Sequence, residues 1–335
     1  MRQQETTMTF SAFRRHLMAA AVASSLALTA GLAQAQVKLR LSSPASPTDQ
    51  RAVAMLEVFG PAVKDFAAFE GHWNASLFKQ GTELEAISRG NLEMSIASAQ
   101  ELAEFFPEFS VFSAGYVHRD AAHQVKVFNS DFFQAYKKKV EDKLGVKLLT
   151  VMYLGRRHVN LRTDKPVNTP ADLSGVKLRM PGSEAWLFLG RALGANPTPM
   201  AFTEIYQGLQ SGAIDGQDNP LPTVKDAKFF EVTKQIALTS HLVDLNYLTI
   251  SKKVYDRLTP DQQKRLQKAA DDAAESARQR QLKLEDELVA FFKEKGLKVY
   301  TPDLAAFRKH VQGEYLKSDL AKKWDSGILD KINGL

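Results

Sequence analysis

The chain of 335 residues contains no cysteine. That absence removes disulfides, thiolate nucleophiles, Cys-ligated metals and a lipid-anchored N-terminal Cys in one step. Stability must therefore come from apolar cores, which a chain of this length can supply. Compact histidine spacings are missing too. His16, His72, His118, His123, His158, His241 and His310 are scattered, and none forms HExxH or HxH. There is no GxGxxG, no P-loop and no GxSxG. The acidic string "GAIDGQDNP" lacks the spacing of a calcium loop. The residues thus call for no metal, no cofactor and no catalysis. Charge of one sign is scarce as well: the basic clusters "YKKKVEDK" and "SARQRQLKLEDE" are interleaved with acids on helical stretches. They read as solvated faces, not as a nucleic-acid footprint.

Long apolar runs are confined to the N-terminus. Arg14 and Arg15 precede "LMAAAVASSLALTAGLAQAQ", which ends in the small-x-small pattern Ala33-Gln34-Ala35. A positive segment, an apolar segment and a cleavage pattern predict a signal peptide over 1–35, cleaved near Ala35/Gln36. The mature chain is then expected outside the cytoplasm, in the periplasm. Losing three arginines and one glutamate brings the formal charge from +6 to +4.

Alternation and caps organise the rest. "QVKLRLSS" alternates as a first strand should, and "QRAVAMLEVFGPAVKDFAAF" has helical spacing broken at Gly60-Pro61. "ASLFKQ" reads as a short strand, and "GTELEAISRG" as a helix capped by Thr82. Strand–helix alternation through "VKLLTVMYLG", "VKLRMP" and "LNYLTIS" predicts α/β layers with mostly parallel sheets. Thr169 and Thr203 are placed as N-caps of two further helices, with Gly175 and Gly212 as their terminators. The longest element begins at Thr259, has Pro260 at N1 and Gln262 to complete a capping box, and first breaks at Gly296. At 1.5 Å per residue it would reach about 54 Å, longer than one small domain, so it must lie across two.

In "VKLRMPGSEAW", Val176, Leu178 and Met180 alternate as one strand face and Pro181 stops the strand. Lys177 and Arg179 point to the other face. Either both are solvated, or the strand end presents one guanidinium to a cleft. A planar guanidinium is the side chain best shaped to meet both oxygens of a carboxylate.

The strings "GANPTPMAFTEIY" and "GAIDGQDNP", with "YLGRRHVNLRTDKPVNTPADLSGVKLRMP" before them, closely resemble the DctP-type solute-binding proteins of tripartite ATP-independent periplasmic (TRAP) transporters. Weaker likeness runs through "GTELEAISRGNLEMSIASA" and "SKKVYDRLTPDQQKRL", so the resemblance covers nearly all of the mature chain. It implies an α/β, two-lobed periplasmic binding protein fold with a hinge and a long helix spanning both lobes. Lobe I would comprise 36–155 plus 242–284, and lobe II 156–241 plus 285–335.

The resemblance also implies site residues. Arg179 would form the principal salt bridge to a ligand carboxylate, and Asn219 would reach the same group. "GRRH" supplies a second arginine, with counting from Gly155 favouring Arg157 over Arg156. Phe202 would be a ligand wall or simple core. Glu83, Ser98 and Gln100 are candidates for ligand hydroxyls, whereas Trp186 reads as core. "ASLFKQG" and "SAGYVHRD" depart from the family pattern in the lobe that selects the ligand body. The implied function is capture of a small organic acid, with a lean to a sugar acid or uronate over an aromatic or dicarboxylic acid. Delivery would be to the membrane subunits of a TRAP transporter, without ATP or catalysis. The rival readings are an exported enzyme using His158 in the same cleft, or a receptor partner in signalling.

Overall fold

The computed structural model describes residues 36–335. The expected signal peptide, with its cleavage pattern at Ala35, lies outside the described residues. Two strands organise the molecule: β4 (Val146–Leu161) and β8 (Gln235–Ser251), antiparallel over 16 and 17 residues. Almost every side chain on both is buried, polar ones such as Arg157, Asn160, Asp244 and Thr249 included. The other strands are β1 (Val37–Ser42), β2 (Ala67–His72), β3 (Met94–Ser98), β5 (Lys177–Met180), β6 (Asn196–Pro199), β7 (Gly216–Pro220) and β9 (Lys298–Tyr300). Together they form one sheet of order β2-β1-β3-β8-β4-β7-β5-β6, with β9 also pairing with β8.

The expectation of mostly parallel pairing is corrected at the sheet's centre. Parallel pairs occur at β1–β3, β5–β6, β5–β7 and β8–β9. The central pairs β3–β8, β8–β4 and β4–β7 are antiparallel. Their direction follows from the crossing: β4 carries the chain out of the first lobe, and β8 returns it. Register shifts between Leu148/Thr150, Tyr153/Gly155 and Arg157/Val159 interrupt this pair, the last two flanking the point where β4 leaves the first lobe.

Each lobe has its own core. The first contains Phe109, Phe112, Phe133, Tyr136 and Tyr247, with the Phe112 and Phe133 rings 4.8 Å apart in an edge contact. The second splits into one cluster around Leu178, Trp186 and Phe307 and another around Ile205, Phe229 and Phe292. The terminal turn of helix, Ile328–Asn333, sends Ile328 and Ile332 into the first core.

The long helix runs Pro260–Glu294, with the expected Thr259–Gln262 capping box. Its 35 residues span about 52 Å at 1.5 Å each. Buried Ala269, Ala270, Ala273 and Ala277 let it lie close on β4, while Leu288 and Phe292 enter the second lobe's core. At the crossing, Glu285 accepts from Arg156 N–H (2.6 Å) and from the Tyr153 hydroxyl (2.8 Å). Gln281 donates to Leu154 O. The helix is thereby fastened to β4 where β4 changes lobes.

Local corrections have local causes. The Gly60-Pro61 break is a wide π turn, Met55–Phe59, closed by Gly60 N–H on Met55 O, which leads the helix into Pro61 without requiring an amide there. The run's end, expected as helix, is β2. "ASLFKQ" is not a strand but a turn segment. Its backbone is held by Asn74 N–H on Ala45 O (2.8 Å) and Ala75 N–H on Ser43 O (3.0 Å). Thr203 lies within a 3₁₀ turn, and the helix begins at Ile205. Thr82 makes no capping bond; its hydroxyl donates to Lys79 O instead.

Gly155 sits at the crossing with φ +131°. An added Cβ would stand 2.5 Å from Glu285 Oε1 and 2.7 Å from Pro220 Cβ. Gly155→Ala should therefore lose about 2–4 kcal/mol of stability through backbone strain and overpacking. Urea unfolding checks this; a loss under 0.5 kcal/mol would mean the crossing relaxes freely.

Candidate functional site

A cavity of about 70 Å³ lies between the lobes, lined from both sides of the crossing strands. A larger cavity of about 530 Å³ lies between the helices Ala121–Asn129 and Asp131–Leu144 and the long helix. Volume does not identify the site; buried charge does.

Leu178 and Met180 fill the second lobe's core, so Arg179 between them faces the opposite side. Its residue is only 1% exposed. Nε donates to Met200 O (2.8 Å) and Nη2 to Gln80 Oε1 (3.3 Å). No carboxylate lies within ion-pair distance among the described residues. Burial pushes this guanidinium down to about 9, with nearby Asp218 raising it and Arg157 lowering it. It remains charged at neutral pH. Lys177, its neighbour on the same face, is half-buried and donates to Gly212 O (3.2 Å).

Arg157 lines the same cavity in a different condition. Nε meets Asp244 (2.7 Å), Nη1 meets Asp218 (3.1 Å), and its guanidinium stands 4.4 Å over the Trp186 ring. Burial lowers its pKa, but Asp218 and Asp244 more than offset that, leaving it raised. His241 Nε2 meets the same Oδ2 of Asp218 (3.1 Å). Arg156 is outside the cavity, its Nη2 on Arg119 O (3.2 Å). Asn219 lines the cavity, and its Nδ2 donates to Gln217 (2.6 Å), whose own amide donates to Asn160 (2.9 Å). That chain of amides fixes the Asn219 plane. Phe202 is a wall and also packs edge-on to Phe229, centroids 5.8 Å apart.

The first-lobe candidates fall in three places. Ser98 lines the cavity, with its hydroxyl accepting Glu101 N–H (3.1 Å) as a helix cap. Glu83 is buried behind the cavity wall, and Oε2 accepts Gly81 N–H (2.8 Å). Gln100 is 1% exposed, away from the cavity lining, with neither amide atom partnered. Sequence reasoning missed Asp49, Arg51, Gln80, Glu101, Asp244 and Asn246, all in the lining. Asp244 and Asn246 carried a signal: two polar residues at i, i+2 in the apolar "HLVDLNYLTIS" share one strand face. Arg51 is paired with Asp49 (2.9 and 2.8 Å) and donates to Asn246.

The cleft thus holds three buried arginines, two already neutralised and one not. Its first-lobe end supplies acceptors: Asp49, Glu101, Asp244 and the Asn246 carbonyl. It can hold one anionic group at Arg179 and accept hydrogen bonds from hydroxyls at the other end. Trp186, expected as core, belongs to both the core and the cavity wall. Among the described residues no group of acidic or histidine side chains is arranged to hold a metal ion.

Two outcomes follow from these pairings. Arg157→Ala leaves Asp218 and Asp244 buried without their partner and should cost roughly 3–5 kcal/mol in urea unfolding. Arg179→Ala strands no carboxylate and should cost under 1 kcal/mol; equal losses would mean the two arginines are not electrostatically distinct. Glu83 is pushed up to about 8, by burial first and by Glu101 second. The folded state then keeps a proton that the unfolded chain loses above its ordinary pKa of about 4.3. Stability should fall as pH rises from about 4.5 to 8, and flatten above. Thermal unfolding of Glu83→Gln across pH 5–9 should lack that decline; an unchanged pH profile would place its cause elsewhere.

Comparison with known proteins identifies the family of the chain. Residues 43–320 match the bacterial extracellular solute-binding protein family 7, DctP. The sialic acid-binding periplasmic protein SiaP of Vibrio cholerae is 34% identical over 76% of this chain and 77% of its own. A TRAP periplasmic solute-binding protein from Roseobacter denitrificans, solved with bound 3-deoxy-D-manno-oct-2-ulosonic acid, is 64% identical. It superposes with a TM-score of 0.89 over 89% of this chain and 99% of that one. A second from Roseobacter denitrificans OCh 114, with bound L-galactonate, is 28% identical with a TM-score of 0.80, over 89% and 98%. The chain belongs to the DctP family, the solute-binding proteins of TRAP transporters, and has their two-lobed fold.

Proposed function

We propose that this protein captures a polyhydroxylated monocarboxylic acid, a sugar acid, between its lobes and delivers it to the membrane subunits of a TRAP transporter. The observation that carries this reading is the buried Arg179, which has no carboxylate within ion-pair distance among the described residues. A ligand carboxylate would complete that pair, with the Asn219 amide beside it. Arg51 and Arg157 are already paired, so a second ligand carboxylate would meet no free cation and stand near Asp49, Glu101 and Asp244. That disfavours a dicarboxylate. Arg157 already lies over the Trp186 ring, which disfavours an aromatic acid stacking there. Hydroxyls suit the acceptor-rich first-lobe end. The sugar acids bound by the Roseobacter relatives support the same class, and 3-deoxy-D-manno-oct-2-ulosonic acid is the first candidate.

The reading as a binder, not a catalyst, is supported at His158. It is buried outside the cavity lining, and Nδ1 accepts Ser240 N–H (3.2 Å). Burial, then the neighbouring His241, push it down to about 3, too low for a general base at neutral pH. Release to the transporter would follow hinge opening at the β4–β8 crossing, and export to the periplasm follows from the N-terminal pattern.

Thermal shifts against 3-deoxy-D-manno-oct-2-ulosonic acid, L-galactonate, sialic acid and succinate test the proposal. At 100 times Kd, a ligand should add about 2.7 kcal/mol of stability. The sugar acids should stabilise the protein and succinate should not; the reverse order would overturn the monoacid reading. Arg179→Ala should abolish the shift, and Arg179→Lys should lose at least about tenfold in affinity, because an ammonium lacks the fork.

A further inference from the structure

One side chain in the cleft belongs neither to the ion pairs nor to the acceptors of the first-lobe end. Gln80 extends from the turn segment after β2, and its Oε1 accepts from Phe202 N–H (2.9 Å) and Arg179 Nη2 (3.3 Å). β2 and β6 are opposite ends of the strand path. Gln80 follows the first of these and Phe202 the second. This single oxygen therefore bridges two parts of the molecule that no backbone pairing joins.

Its mounting is rigid. The turn is tied to the exit of β1 by Asn74 on Ala45 O, by Ala75 on Ser43 O, and by Phe78 N–H on the Ser42 hydroxyl (3.3 Å). The acceptor is thus carried by the first lobe, and both donors by the second. The stoichiometry at Arg179 leaves room for a ligand as well. A guanidinium has five N–H donors. Nε serves Met200 and one Nη2 hydrogen serves Gln80, so three remain, and a bidentate carboxylate takes two. An amide oxygen accepts without adding charge, so the cation stays available to an acid.

We infer that Gln80 is the closure latch of this binding protein and a determinant of its charge selectivity. Its neutral oxygen joins Arg179 and the Phe202 amide across the closed cleft and leaves the arginine's charge to the ligand. This rests on the reading of the cleft as the acid site. A latch formed after encounter acts on dissociation more than on association. Glutamate at the same position would pair with Arg179 and take the charge that the ligand requires.

Stopped-flow binding of 3-deoxy-D-manno-oct-2-ulosonic acid separates these roles. Gln80→Ala should raise koff about tenfold with kon within twofold of native. Gln80→Glu should weaken binding at least about 100-fold while its ligand-free melting temperature is kept or raised. A koff within twofold of native in Gln80→Ala, or native affinity in Gln80→Glu, would overturn the inference. A second readout needs no ligand. The absence of cysteine allows exposed Lys138→Cys and Lys309→Cys, one in each lobe, to carry spin labels for an interlobe distance. Adding Gln80→Ala should shift the distribution to longer distances, and an unchanged distribution would overturn the latch. Should the native protein bind none of the acids, the reading of the cleft has failed, and the distance measurement still decides the latch.

Discussion

Stripping a guanidinium of water costs several kcal/mol, and among the described residues no carboxylate forms an ion pair with Arg179 to offset that cost. Burial pushes the group down to about 9, yet it stays charged at neutral pH. The neighbouring arrangement keeps it so. Asp218 is close enough to steady the charge but is already engaged by Arg157 and His241. Met200 O and Gln80 Oε1 satisfy part of the fork without neutralising it. A charge held this way is stabilised by any anion that reaches it.

The ion pairs around Arg157 serve a different purpose. Asp218 lies on β7, Asp244 on β8 and Arg157 on β4, so three strands are tied at one buried point beside the register shifts. Breaking that knot would leave uncompensated charge in the interior, which is why it stiffens the crossing more than it serves a ligand. Gly155 and the Gln281–Glu285 pair complete the same junction from the helix side. The cleft lining and the strand crossing therefore sit within a few residues of each other on β4: Gly155 is at the crossing, and Arg157 lines the cleft.

Local elements were legible because their causes are local. Thr259, Pro260 and Gln262 form a cap among themselves, and a helix of 35 residues follows with no break in its pattern. Leu178 and Met180 alternate around Arg179 within four residues of chain, so its facing could be read directly. Central pairing could not. "VKLLTVMYLG" and "LNYLTIS" read as strands, and a strand pattern carries no information on whether its neighbour is parallel or antiparallel. "ASLFKQ" reads as strand but is a turn, because the chain there is held by hydrogen bonds from Asn74 and Ala75 to Ala45 and Ser43, some thirty residues earlier.

By itself the sequence determined the α/β composition, the brace across two lobes and, through its motifs, the family; it also singled out Arg179 on the strand face away from the core. Those depend on spacing within short segments, where backbone geometry leaves few choices. Only the tertiary structure decided which arginine remains uncompensated. Arg157 finds Asp244 across 87 residues and Asp218 across 61, whereas Arg179 finds Gln80 across 99. The charge state of a cleft is a sum over such distant partners, and no window of sequence contains them together.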